Sequence, residues 1–109
     1  FVLVEPWGKS RTDEFFEAAR GAFNEFHIGR KLKGLLSAAG FQHVDVRVLA
    51  SADTTGGGLN VITNMASYAR RFNTLSEEHL ATMINELKEA IELGDYMFVL
   101  PQFVVTGVK

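Results

Sequence analysis

At 109 residues, with 47% apolar and 22% charged residues, the chain has the size and composition of one soluble, folded domain rather than a disordered segment. Eleven basic against thirteen acidic side chains leave no electrostatic footprint for nucleic acid or an anionic membrane, and the lack of cysteine excludes disulfides, thiolate catalysis and cysteine-held metals. No apolar run approaches ~20 residues and no basic segment leads into an apolar one, so no membrane span or signal peptide is expected and a cytoplasmic location is.

Phe1 to Glu5 is a continuous apolar run ending in an acid, the pattern of a strand covered on both faces. The numbering starts inside this element, so the chain is expected to be naturally short or cut. Glu5-Pro6-Trp7-Gly8 ends the strand, because proline cannot continue a ladder and glycine supplies a turn. Thr12 or Asp13 then suits a helix cap. Phe15, Ala19, Ala22, Phe23 and Phe26 follow at helical spacing, with Gly21 inside the helix and Gly29 breaking or kinking it. A second piece begins near Arg30, with Leu32, Leu35, Leu36 and Ala39 inward and Gly40 as a left-handed cap.

Phe41 to Ala50 alternates, with Val44, Val46 and Val48 on one face and Asp45 and Arg47 on the other, and reads as an edge strand. Ser51 to Gly58 reads as a flexible polar loop. Leu59 to Phe72 is expected to be helical, with Ile62, Met65, Ala66 and Ala69 inward. Ser76 caps the next helix, Glu77 and Glu78 favour its first turn, and Leu80, Met83, Ile84, Leu87 and Ile91 form its apolar stripe. Gly94 ends it. The closing stretch, Asp95 to Lys109, is too apolar for a strand with one wet face and is expected to lie buried between Phe1–Glu5 and Gln42–Ala50, with Pro101 forcing a kink near Leu100 to Gln102.

Four segments together carry a resemblance: Phe-Val-Leu-Val-Glu-Pro at 1–6, Ile-Gly-Arg-Lys-Leu at 28–32, Leu-Leu-Ser-Ala-Ala-Gly-Phe-Gln-His-Val-Asp-Val at 35–46, and Phe-Val-Val-Thr-Gly-Val-Lys at 103–109. In order and spacing the chain resembles the C-terminal part of class I S-adenosylmethionine-dependent methyltransferases that act on small molecules. The resemblance implies a partial Rossmann-like α/β sheet, three strands in the order first–last–middle with the last antiparallel. It also implies that the family's S-adenosylmethionine-binding residues, a glycine-rich turn and a ribose-binding acid, belong upstream of these positions.

The residues themselves offer no self-contained catalytic centre. His27, His43 and His79 lack metal-ligand spacing. Gly56-Gly57-Gly58 has Val61 where a dinucleotide turn needs glycine or alanine, which favours a linker. Glu5 and Trp7, ending the first strand, and Tyr68 and Arg71, on a helix the resemblance sets over the substrate side, are the candidate substrate contacts. The same positions also suit a solvated acid, a core-capping indole and solvated helix residues. Arg30 and Lys31 read as a surface pair. No catalytic, cofactor-binding or metal residue is assigned, and no cofactor is expected to bind this chain alone. The unpaired edge of Phe1–Glu5 and the apolar helix faces predict a homodimer, with exchanged elements as one route to it. The alternative to an enzyme portion is a self-associating remnant domain that keeps only the fold; a third reading is a small-ligand-binding α+β dimer.

Overall fold

The computed structural model describes residues 2–22 and 28–109. Phe23, Phe26 and His27, part of the expected phenylalanine stripe and histidine set, lie outside them. The elements in order are strand β1 (Leu3–Glu5), helix α1 (Gly8–Ala18), a 3₁₀ turn (Arg20–Ala22), α2 (Ile28–Ala38), β2 (Gln42–Leu49), β3 (Ala52–Asp53), α3 (Leu59–Arg71), α4 (Glu77–Leu93), β4 (Met97–Val99) and β5 (Gln102–Val108). The fold is mixed α/β, and every strand pairing among the described residues is antiparallel.

The two long helices form where their apolar stripes and caps dictate. Ile62, Met65, Ala66 and Ala69 of α3 are buried, as are Leu80, Met83 and Leu87 of α4. Ser76 accepts a hydrogen bond from the His79 N–H at 3.1 Å, satisfying one orphan donor of the first turn. Gly94 closes α4 in the left-handed conformation at φ 82°, and Gly40 takes φ 94° after α2.

Helix α1 departs from the expected cap at Thr12 or Asp13, because it starts at Gly8. Trp7 explains the early start. Its indole is buried, donates to the Met83 carbonyl at 3.0 Å and lies 4.9 Å from the Phe15 ring, which turns the chain onto α4 directly after β1. The Arg11 guanidinium grips Glu86 with two bonds of 2.6 and 2.8 Å, and His79 meets Glu14 at 3.0 Å, tying the same two helices. Gly29 lies within the first turn of α2 and does not break it. A side chain there would start 2.6 Å from the Phe103 ring, so glycine is what lets the helix approach β5.

The strands form two sheets where one was expected. In the first, β4 lies between β1 and β3, with Val99 opposite both Leu3 and Ala52. In the second, β5 pairs with β2, from Leu49 opposite Gln102 to Gln42 opposite Val108, with a bulge at His43, whose φ is 52°. The sheets part where Ala50 and Ser51 face Leu100 and Pro101. Pro101 has no N–H to donate there, so the expected kink is present and divides the ladder.

The closing stretch is buried only in its first half. Phe98 and Val99 of β4 are in the core, whereas Phe103, Val104 and Val108 of β5 are 39%, 41% and 59% exposed. The core gathers Val4, Trp7, Phe15, Ile62, Leu80, Met83, Leu87 and Phe98 between β4 and helices α1, α3 and α4. Each such side chain contributes roughly 1.5–3 kcal/mol on leaving water. The β2·β5 ribbon has α2 for cover and projects from that core. Among the described residues, no helix is long and apolar enough to cross a membrane.

Candidate functional site

The most highly organised polar centre is one the sequence did not advertise. Asp53 ends β3, and the following residues curl over its carboxylate. The N–H groups of Thr55, Gly56 and Gly57 each point at Oδ1 from 3.2 Å, and the Gly58 N–H donates to Oδ2 at 2.8 Å. The Tyr96 hydroxyl donates to Oδ2 at 2.8 Å from the far side. Gly56 makes the curl at φ 95°, with Ile91 so close that an added Cβ would sit 2.7 Å from its Cδ1. This overturns the expectation of a flexible loop over Ser51 to Gly58. The glycine cluster does cradle an anion, and the anion is the protein's own carboxylate.

Partial burial opposes ionisation of Asp53, but the hydrogen bonds from Gly58, Tyr96, Thr55 and Gly56 overcome it and hold the carboxyl at about 2. Burial first, and then the neighbouring carboxylate, raise the Tyr96 phenol above its ordinary value. The centre is therefore an ionised acceptor saturated by neutral donors. It fixes the turn between β3 and α3 and leaves no vacant donors for a phosphate.

The second feature is a groove of about 770 Å³ between α1, α2, α3 and the Leu100–Pro101 turn. Phe16, Val61, Met65, Leu100 and Phe103 give it an apolar floor, while Asp13, Glu17, Arg30, Asn64 and Tyr68 border it with polar groups. Its size and mixed lining are those of a small-molecule site. Val2 places it at the amino end of β1, away from the carboxyl end where α/β folds usually hold ligands.

The four candidate contacts are not brought together. Tyr68 borders the groove, half-buried. Glu5 is exposed at the other end of β1, opposite Met97. Trp7, read as a substrate contact or a core-capping indole, is 4% exposed and belongs to the core. Arg71 is exposed at the end of α3, its guanidinium 6.0 Å from the Phe72 ring. Among the described residues, no cluster of three or more His, Asp or Glu side chains is arranged to hold a metal ion. Asp53 was legible only as an acid preceding a glycine-rich turn, the residue type whose side chain bonds to backbone a few residues on. No family model matches the chain, and neither the curated proteins nor the solved structures include a significant match to it.

Proposed function

We propose that these residues form the closing, substrate-side portion of a class I S-adenosylmethionine-dependent methyltransferase acting on a small molecule, and that methyl transfer requires an upstream half that supplies the cofactor site. The observation that carries this reading is the position of β4. It runs antiparallel to both β1 and β3, so those two are parallel to each other with the closing stretch between them. That order is loosely compatible with the first–last–middle order the resemblance implies: the two-residue β3, rather than the expected Gln42–Ala50, stands in the middle strand's place, and Gln42–Leu49 pairs with β5 in the second sheet. The outer edge of β1 has no strand partner among the described residues, and an upstream parallel strand would pair there. Asp53 fills the glycine cradle, which favours a cofactor site elsewhere. In this reading Tyr68, on the groove, is the substrate contact, Trp7 holds the end of β1 in place, and Glu5 and Arg71, away from the groove, serve surface roles.

Calorimetric titration of S-adenosylmethionine tests the reading. The 109-residue chain alone is expected to release no binding heat. The gene product extended upstream through a glycine-rich turn is expected to bind one cofactor per chain. Failure of the extended product to bind either S-adenosylmethionine or S-adenosylhomocysteine refutes the assignment. A second reading, a self-associating domain without enzymatic activity, is favoured by the exposed apolar β2·β5 ribbon, and it predicts that neither product binds.

A further inference from the structure

The chain is more extended than a compact monomer of its length. Its radius of gyration is 16.3 Å, against about 13 Å for a compact chain of this size. It exposes 7209 Å², against about 6,000 Å² for a compact monomer of this mass. The excess, about 1,200 Å² per chain, exceeds the ~800 Å² that each partner buries in a standard interface. The projecting ribbon exposes apolar side chains, with Val46, Val48 and Leu49 36%, 49% and 54% exposed. Strand β2 pairs with β5 along one edge only, and its other edge has no strand partner among the described residues.

That free edge carries a self-complementary sequence, Val44-Asp45-Val46-Arg47-Val48. Charged residues on an edge strand normally block self-pairing. Here an antiparallel pairing of β2 with a second β2, centred on Val46, sets Asp45 opposite Arg47 twice and Val44 opposite Val48 twice. The two-fold axis keeps faces matched, so the charges meet on one side of the sheet and the valines on the other. Opposite charges at directly opposed positions stabilise a sheet, whereas like charges there destabilise it. Asp45 and Arg47 are well exposed, at 62% and 77%, and touch each other within one chain at 3.4 Å, so both are free to exchange partners.

We propose that the chain forms a two-fold homodimer through the β2 edge, joining two ribbons into a four-stranded sheet in the order β5–β2–β2–β5. The interface is isologous and closes on itself. Of the four outer strand edges among the described residues it belongs to the longest strand, eight residues against seven in β5, three in β1 and two in β3. It leaves β1 open, so it is independent of the methyltransferase reading.

The test is a charge-exchange series read by sedimentation equilibrium at micromolar concentrations. Arg47→Asp sets Asp against Asp twice, and Asp45→Arg sets Arg against Arg twice; each is expected to weaken the dimer by about tenfold or more. The double variant D45R/R47D restores opposite pairs and is expected to dimerise like the parent. An equimolar mixture of the two single variants is expected to form a heterodimer. Because the chain has no cysteine, Val46→Cys is expected to give one oxidised dimer, the self-opposed residues lying within disulfide reach. A monomeric parent, a dimer indifferent to Arg47→Asp, or failure of the double variant to recover overturns the proposal. Unchanged circular dichroism of each variant shows that the fold is retained.

Discussion

Asp53→Asn keeps the size of the side chain and removes its charge. The carboxyl of an unfolded chain protonates near 3.8, whereas in the fold it does so at about 2. At about 1.4 kcal/mol per pH unit that gap would correspond to about 2.5 kcal/mol, which solvent screening of a partly exposed carboxylate reduces to roughly 1–1.5 kcal/mol of stability at neutral pH. The folded value is the lower one, so the contribution is complete above about pH 5, falls as the pH drops from about 4 to 2, and is gone below. The amide retains one acceptor, but its NH₂ must then face donors that the carboxylate satisfied. The expected result at pH 7 is a loss of roughly 1–1.5 kcal/mol, equivalent to about 5 °C in Tm for a domain of this size. Urea unfolding followed by the fluorescence of the one tryptophan, buried Trp7, measures it. Repeating the measurement down to pH 2 should bring variant and parent together. A loss under about 0.5 kcal/mol at pH 7, the range of an ordinary surface change, refutes the reasoning. So does a difference that persists undiminished at pH 2.

Gly29→Ala places a methyl group 2.6 Å from the Phe103 ring and is expected to cost about 1–2 kcal/mol despite alanine's better helix propensity. Combining it with Phe103→Leu should recover part of that loss, which a thermal-melt double-mutant cycle would register as coupling between the two sites. Trp7→Phe removes the donor to the Met83 carbonyl and some buried volume, and is expected to cost about 2 kcal/mol by chemical denaturation monitored by circular dichroism. A neutral Trp7→Phe would place the indole outside the core.

The sequence by itself determined the elements whose signals are local. Helices α3 and α4 follow from their stripes, the start of α4 from Ser76, and its end from Gly94, because a 3.6-residue period and a cap act within a few residues. Pro101 likewise announced the division of the closing stretch, since a missing donor interrupts any ladder. Tertiary structure decided what depends on partners distant in the chain. Apolar content made Gln102–Val108 look buried, but burial needs cover on both faces, and α2 lies on one. Trp7 became a core residue because a carbonyl 76 positions away accepts its proton. The glycine cluster read as a linker because nothing local reveals that Asp53 and Tyr96, 43 positions apart, fill it with charge and a donor. For the candidate site, the sequence supplied residue types, but which of them share a groove was set by how three helices pack around the Leu100–Pro101 turn.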